Sequence, residues 1–147
     1  MRHIRRLAFA DMDAAAAVHR ASFDHALPLL AGLHTPDEDR VFYRTQVFSS
    51  CQVWGAEKQG KLVGIIAFRE GWIEQLYVLP DAQGQGLGGD LLAVARATFT
   101  PLCLWTFQCN RRARRFYELN GFVALRETDG SDNEENEPDV LYRWARA

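Results

Sequence analysis

This chain of 147 residues has neither a long apolar run nor a marked excess of one charge. No apolar stretch approaches the length needed to span a bilayer, and the N-terminal MRHIRRLAF lacks the pattern of a secretory signal. The chain has 17 basic and 19 acidic residues, for a formal charge of -2. We therefore expect a cytoplasmic protein with no membrane partner, and no nucleic-acid partner held by overall positive charge.

Cysteine is also scarce. Cys51, Cys103 and Cys109 are an odd number and lack CxxC spacing. This pattern predicts neither a disulfide framework nor a zinc site, so we expect three reduced thiols and no metal. Cys51 and Cys103 are expected in or near strands.

Apolar residues, by contrast, are plentiful, at 48% of the chain with 12% aromatics. This composition and length are typical of one globular domain with one sizeable core, and no repeat or linker divides the chain. We expect residues 1–147 to form a single domain.

Periodicity and turn residues predict the element order strand, two helices, three strands, helix, strand, helix, two strands. The predicted strands are residues 4–7, 52–56, 61–68, 72–78, 102–107, 122–126 and 140–144. The predicted helices, with their caps, start at Asp11, Thr35, Asp90 and Asn110. This order predicts an α/β (α+β) fold: a mixed, mostly antiparallel sheet of about seven strands with helices on both faces.

One segment indicates a ligand. Residues 83–89, Gln-Gly-Gln-Gly-Leu-Gly-Gly, follow a predicted strand and precede a predicted helix. Glycines let the backbone come close to a diphosphate, and the unpaired amides and dipole of the first helical turn attract the anion. The sequence therefore predicts a phosphate-binding loop.

The identity of the bound nucleotide needs further evidence, because the spacing Gly84-x-Gly86-x-x-Gly89 also matches the dinucleotide fingerprint. That motif needs an acidic residue about 20 positions later to bind the ribose, and residues 91–117 contain no Asp or Glu. A Walker loop is excluded because no Gly-Lys-Ser/Thr follows the glycines. A nicotinamide-dependent dehydrogenase is therefore the least favoured of the three functions that we consider.

The loop contains the pattern Gln83-x-x-Gly86-x-Gly88, preceded by Leu76-Tyr77-Val78-Leu79-Pro80. These residues resemble the signature of the GNAT superfamily of acyl-CoA-dependent N-acyltransferases and the strand and turn that precede it. Downstream, Asn110-x-x-Ala113-x-x-Phe116-Tyr117-Glu118-x-x-Gly121-Phe122 resembles the second half-motif. The resemblance is strong over residues 61–122 and weak over the first 50.

The resemblance implies acetyl-CoA as co-substrate. Its diphosphate is then expected on the side chain of Gln83 and on the amides of Gly84, Gln85, Gly86, Gly88 and Gly89. Many relatives carry arginine in place of Gln83 and Gln85. The phosphates are therefore expected to use the arginines of the helix that starts at Asn110, unless these form only a solvated face: Arg111, Arg112, Arg114 and Arg115.

The resemblance also implies catalytic roles. The amide of Leu76 polarises the thioester carbonyl, Val78 pairs with the pantetheine arm between strands splayed near Val78 and Phe107, and Tyr117 protonates the leaving thiolate. Asn110 either contacts the arm or caps its helix. Simple alternation places Trp72, Glu74, Leu76 and Val78 on one strand face and Ile73, Gln75 and Tyr77 on the other. Glu74 is our candidate for the general base.

The acceptor pocket in relatives is built from the early helices and the last hairpin. In this chain these segments offer Phe23, His25, His34 and Tyr43, and a turn with six carboxylates within residues 129–139. Such a turn attracts a cationic amine or is simply a solvated loop. We select Glu74, His34, Glu134 and Glu135 as acceptor-binding candidates.

These observations predict an N-acetyltransferase in which a primary amine attacks acetyl-CoA directly in a ternary complex. The amine belongs to a small molecule or to a peptide, and the chain is a monomer or a homodimer. The alternative from another class is a catalytically silent acyl-CoA-binding module.

Overall fold

A seven-stranded sheet carries the helices in the computed structural model, which describes residues 2–147. The strands are β1 (Arg2–Arg6), β2 (Gln52–Lys58), β3 (Lys61–Arg69), β4 (Trp72–Val78), β5 (Leu102–Phe107), β6 (Val123–Thr128) and β7 (Asp139–Trp144). The helices are α1 (Met12–Ala26), α2 (Pro36–Phe42), α3 (Phe48–Ser50), α4 (Leu87–Thr98) and α5 (Arg111–Leu119), with a π-helical segment Tyr43–Val47 joining α2 to α3. The predicted element order is confirmed, with α2, the π segment and α3 forming the second helical region.

The strand order in the sheet is β1-β2-β3-β4-β5-β7-β6. Neighbouring strands are antiparallel except β4 and β5, which are parallel. The prediction of a mixed, mostly antiparallel sheet is therefore confirmed. Helix α4 is the crossover that makes β4 and β5 parallel, since it returns the chain to the edge where β4 began.

Each sheet face has its own apolar core. Helix α1 and the π segment cover one face through Met12, Ala15, Val18, Tyr43 and Val47, which pack on the β2 and β3 side chains. Helices α4 and α5 cover the other face through a cluster that includes Leu91, Leu92 and Tyr117. Helices thus lie on both faces, as predicted, and the described residues include no helix with the length and hydropathy to cross a membrane.

Strands β4 and β5 separate soon after they meet. Their only bridge pair within residues 2–147 is Trp72 with Cys103, supported by the Cys103 amide, which donates to the Gly71 carbonyl at 2.8 Å. Beyond that pair the strands diverge toward Val78 and Phe107. The predicted splay is therefore present, and it opens a gap in the middle of the sheet.

A β-bulge in β4 overturns the predicted alternation. Ala67 of β3 pairs with Gln75, but Phe68 pairs with Ile73, so Glu74 is the extra residue. The bulge moves Ile73 into the α4-side core, which also contacts Leu76 and Val78. The prediction that Ile73 faces away from Leu76 is wrong, because an inserted residue shifts the two-residue period by one.

Helix starts agree only partly with the predicted caps. The Thr35 hydroxyl accepts from the Glu38 amide at 3.1 Å and the Glu38 carboxylate accepts from the Thr35 amide at 2.7 Å, a full capping box. Asp11 precedes α1 but makes no side-chain cap to it. Its carboxylate instead accepts from the Ala8 amide at 2.8 Å and from Arg5, bracing the turn before the helix.

Candidate active site

The glycine loop joins the end of β4 to the start of α4. Gly84 and Gly86 have φ angles of +78° and +83°, a left-handed backbone that favours glycine. The first helical hydrogen bond runs from the Asp90 amide to the Gly86 carbonyl at 3.0 Å. The amides of Leu87, Gly88 and Gly89 precede that bond, so they are available at the positive end of the helix.

The last two glycines of the loop serve different purposes. A Cβ on Gly88 would lie 3.3 Å from the Phe116 ring, so Gly88 allows α4 to approach α5 closely. A Cβ on Gly89 would meet no atom within 4 Å. The space in front of Gly89 is therefore open, and the exposed amides with this open space suit a bound phosphate.

The two loop glutamines point in different directions. The Gln83 side-chain amide donates to the Val78 carbonyl at 2.9 Å and so braces the loop against the strand end. The Gln85 side chain accepts from Lys58 and donates to the Asp81 carbonyl. Lys58 therefore supplies a cation beside the loop, although the roles of Gln83 and Gln85 toward a diphosphate stay predictions.

A cavity of about 970 Å³ extends from this loop through the gap between β4 and β5 to the turn before β7. The predicted site residues that line it are Glu74, Leu76, Val78, Gln83, Gly84, Gly86, Gly88, Gly89, Asn110, Tyr117 and Glu135. Three predicted site residues are absent from the lining: Gln85, His34 and Glu134. The fold thus brings most of the predicted residues to one cavity.

Two phenols face this cavity, Tyr117, which is buried, and Tyr77, which is half-buried. Tyr117 is 7% exposed and packs against the rings of Phe116 and Phe122, with centroids 5.3 and 5.5 Å away. Tyr77 stacks on His19 at 4.3 Å. Neither hydroxyl has a hydrogen-bond partner within residues 2–147, and burial raises the pKa of both phenols above the usual 10.0. Both therefore hold their protons at neutral pH and have them available for a ligand.

His19 is held neutral on the other side of Tyr77. Burial lowers its pKa from 6.5 to about 4, and its Nδ1 lies 2.6 Å from the Tyr43 hydroxyl. Burial also raises the pKa of Tyr43, so both groups of this hydrogen bond are neutral, and the tautomer of His19 decides which of them donates. Tyr43 is fully buried in this contact and does not line the cavity, so its expected place in the acceptor pocket is wrong.

The predicted base lies at the bulge. Glu74 is exposed, lines the cavity and has a carboxylate oxygen 3.4 Å from Arg69. Two residues further along β4, Leu76 is half-buried in the same lining. Because a bulge leaves strand groups without ladder partners, it is a common place for backbone groups that contact ligands.

Helix α5 makes the loop end of the cavity cationic. Asn110 lines the cavity and also caps the helix, since its side-chain oxygen accepts from the Ala113 amide at 3.2 Å. Arg112 and Arg115 line the cavity, and Arg111 does not. Arg114 instead donates to the Tyr142 hydroxyl at 3.0 Å. Of the four predicted arginines, two are thus positioned toward the loop end.

The part of the cavity formed by the 129–139 turn is acidic, and the lining also contains Ser22, which the sequence did not single out. The lining includes Ser22 of α1 and Asp132, Asn133 and Asp139 of the 129–139 turn, with Arg126 as a cation. Ser22 is 4% exposed, and its hydroxyl has no hydrogen-bond partner among the described residues. No local pattern marks Ser22, because apart from Phe23, Ala26 and Leu27 the residues that line the cavity are over 50 positions away in sequence.

His34 and Glu134 contact each other rather than the cavity. The His34 Nε2 and a Glu134 carboxylate oxygen are within ion-pair distance, with the two side chains 41% and 57% exposed. This contact links the segment before α2 to the 129–139 turn. Among residues 2–147, no group of three or more His, Cys, Asp and Glu side chains is arranged to hold a metal ion.

Comparisons with known proteins agree with this architecture. The family model for the acetyltransferase (GNAT) domain matches residues 49–124. The chain is 31% identical over 80 residues to the peptidyl-lysine N-acetyltransferase YiaC of Escherichia coli (strain K12), an alignment covering 54% of this chain and 55% of that protein. The chain thus spans about half the length of this curated relative.

Two solved structures show the same fold. The apo form of YjaB from Escherichia coli has a TM-score of 0.80 and 21% identity, covering 100% of this chain and 99% of that chain. The PaiA N-acetyltransferase of Thermoplasma acidophilum, solved with coenzyme A, has a TM-score of 0.72 and 20% identity, covering 99% of both chains. These two structures show the fold, and the family match over residues 49–124 identifies the chain as a member of the GNAT acetyltransferase family.

Proposed function

We propose that residues 1–147 form one catalytic domain that transfers the acetyl group of acetyl-CoA to a primary amine by direct attack in a ternary complex. The observation that carries this proposal is the single cavity, which joins the glycine loop, the gap between β4 and β5, the phenol of Tyr117 and an acidic far end. An acyl-CoA and an amine can occupy opposite ends of such a cavity and meet at the gap.

The loop end suits the anionic half of the co-substrate. The amides of Gly86, Gly88 and Gly89 and the open space at Gly89 receive the diphosphate, and Arg112 and Arg115 neutralise phosphate charge nearby. The solved PaiA relative was obtained with coenzyme A, which supports this choice of co-substrate. Gln83, Gly84 and Gln85 are proposed to complete the loop.

The gap between the strands suits the pantetheine arm. Backbone groups of β4 that lack a β5 partner are available there, and Val78 is proposed to pair with the arm, as a missing strand would. Asn110 is placed at the mouth of the gap, where it lines the cavity while capping α5.

The chemistry exchanges one bond for another. The amine nitrogen forms a bond to the thioester carbonyl carbon as the C–S bond breaks, and the electron pair of that bond leaves on sulfur. The Leu76 amide is proposed to donate to the carbonyl oxygen where negative charge develops. Glu74 takes the proton lost by the ammonium, directly or through water, and Tyr117 gives its proton to the departing sulfur.

The acceptor is proposed to be a cationic amine, because carboxylates outnumber basic groups at the far end of the cavity. Glu135 is proposed as an acceptor-binding residue, and His34 and Glu134 stay candidates at the rim of that end through their mutual contact. The YiaC relative acts on peptidyl-lysine, which also supports a primary alkylamine acceptor.

Two measurements test the proposal. Calorimetric titration with acetyl-CoA and with NADH tests the co-substrate, and a free-thiol assay across a panel of amines tests transfer. We expect acetyl-CoA binding, no NADH binding and thiol release that depends on the amine. Acetyl-CoA binding without thiol release for any amine would instead favour a silent acyl-CoA-binding module, and failure to bind acetyl-CoA would refute the assignment of the loop.

A further inference from the structure

We propose that Tyr77 binds the attacking nitrogen of the acceptor, and that this acceptor is a primary amine joined to an aromatic group that packs on Phe23 and Phe107. This inference rests on the proposed function and names its substrate class. It comes from the α1 side of the gap between β4 and β5, where a row of four rings connects the two strands.

Tyr77 projects from β4 to the face of the sheet that α1 covers. It pairs with Ile65 of β3 and packs against the core on that face, whereas Leu76 packs against the core on the α4 side. Tyr117 belongs to the core on the α4 side, so the two phenols reach the cavity from opposite faces of the sheet. Because the glycine loop and Tyr117 assign the acyl-CoA to the α4 side, Tyr77 is the phenol on the side that remains for the acceptor.

The Tyr77 hydroxyl is open to the cavity. Among residues 2–147, Ser22 has the only side-chain oxygen or nitrogen in a buried or half-buried residue that is both enclosed and without a partner. The Tyr77 hydroxyl has no partner in this part of the chain either, so it is not enclosed. Burial raises the pKa of Tyr77, which keeps the phenol neutral. Its oxygen is therefore available to accept from an amine N–H and to hold the nitrogen in place.

Polar groups buried under α1 fix the Tyr77 ring. The imidazole of His19 stacks on it, with ring centres 4.3 Å apart and planes 26° apart. His19 is itself held by the Tyr43 hydroxyl, 2.6 Å from its Nδ1. Burial lowers the pKa of His19 to about 4, so the imidazole adds no positive charge that would repel an ammonium group at neutral pH. We assign His19 as a positioning residue that acts through Tyr77.

The row of rings continues from His19 to the other strand of the gap. Phe23, one turn further along α1, has its ring centre 6.0 Å from that of His19, and Phe107 of β5 lies 6.4 Å from Phe23 in an edge-to-face arrangement. Both phenylalanines are half-buried and line the cavity. An acceptor ring that covers them removes apolar surface from water and makes the edge or offset contacts that aromatic pairs prefer.

The charges beside this row disfavour a carboxylate on the acceptor. Arg20 lies over the Phe23 ring at 5.4 Å, but its guanidinium donates to Asp39 at 2.8 and 2.9 Å and to Asp24 at 3.0 Å. Its charge is therefore matched by two carboxylates of the chain. Glu135, which is half-buried in the cavity lining, repels a further carboxylate. An arylalkylamine suits these surroundings better than a free aromatic amino acid.

The first test compares the KM values of phenethylamine and ethylamine, which share the reacting group, in the thiol-release assay. We expect KM to be at least about tenfold lower for phenethylamine. Phe23→Ala should remove most of this ratio, and Phe9→Ala, at an exposed phenylalanine outside the lining, should not change it. Because both amines are measured on the same protein sample, a partial loss of folded protein leaves the ratio unaffected.

The second test concerns the hydrogen bond from the amine. Tyr77→Phe should raise KM for the amine by about fivefold, with kcat and acetyl-CoA affinity within about twofold of wild type, since a bond made equally in the ground and transition states changes only KM. His19→Gln should raise KM similarly in the wild type and have no further effect in Tyr77→Phe, as expected of a residue that acts through Tyr77. Tyr142→Phe, at a phenol outside the lining, should leave KM for the amine unchanged.

Several results would overturn the inference. Equal KM values for the two amines, or a lower KM for a lysine-containing peptide than for phenethylamine, would refute the substrate class. A fall in kcat at unchanged KM in Tyr77→Phe would place this phenol in proton transfer and refute its role in binding.

Calorimetry with phenethylamine on protein saturated with coenzyme A separates these failures from failure of the transferase proposal. Binding that Tyr77→Phe weakens, without thiol release from any amine, would support the inference and refute only the reaction. Thiol release with other amines, but no binding of phenethylamine, would refute only the inference.

Discussion

Replacing Tyr117 with phenylalanine separates the proposed chemistry from the fold. The ring packs between Phe116 and Phe122, and its hydroxyl has no partner among residues 2–147, so Tyr117→Phe keeps the packing and breaks no hydrogen bond. We therefore expect the free energy of unfolding to change by less than about 0.5 kcal/mol, a shift in Tm of under about 2 °C.

Activity should respond very differently. Loss of a general acid typically costs about a hundredfold or more in rate, which corresponds to about 2.7 kcal/mol of barrier. Because burial raises the pKa of Tyr117 above 10.0, the phenol keeps its proton through pH 9. Wild-type kcat should therefore show no alkaline decline from this group below pH 10, and Tyr117→Phe should lower kcat across the whole range with little change in acetyl-CoA affinity.

Tyr77 provides the comparison, since it is the other phenol in the cavity with a raised pKa and no hydroxyl partner in the described chain. Thiol-release assays give kcat for Tyr117→Phe and Tyr77→Phe, and calorimetry gives their acetyl-CoA affinity. The larger loss of kcat identifies the phenol that donates the proton. Unchanged kcat in Tyr117→Phe would remove Tyr117 from the mechanism, and a larger loss in Tyr77→Phe would assign the proton to Tyr77.

Three further predictions concern other groups. The pKa of His19 is about 4 in the folded state and 6.5 in the unfolded state, so the unfolded chain binds protons preferentially as the pH falls. The free energy of unfolding measured with urea should therefore be about 2 kcal/mol lower at pH 5 than at pH 7. His19→Gln should lose this dependence on pH. Arg112→Gln and Arg115→Gln should each weaken acetyl-CoA binding by about threefold at low salt and less at high salt, while Arg111→Gln, outside the lining, should not. Glu74→Gln should lower kcat/KM for the amine by about a hundredfold with little change in acetyl-CoA affinity; an unchanged kcat/KM would assign the base elsewhere.

The sequence was sufficient for those parts of the fold that depend on local chemistry. The capping box at Thr35 and the glycines at 84 and 86 have signals within a few residues, and both features have the expected geometry. The succession of strands and helices along the chain follows from the same local signals.

Features that depend on distant partners were not predictable in the same way. The bulge at Glu74 is set by the pairing of β4 with β3, so a strict two-residue alternation placed Ile73 on the wrong face. Ser22 and Glu135 approach one cavity from opposite ends of the chain, and neither has a neighbour in sequence that indicates this meeting. Only the packed fold defines the acceptor end.

Because one bridge pair is all that joins β4 and β5 in the described residues, the sheet consists of two halves, β1 to β4 and β5 to β7. Along most of this boundary, backbone amides of the two strands do not protect one another from solvent exchange. Hydrogen exchange of the free protein should therefore be fast for the β4 amides that face β5 and slow for those paired with β3. A ligand whose arm lies in the gap would link the two halves, so occupancy of the cavity is expected to increase the cooperativity of unfolding as well as stability.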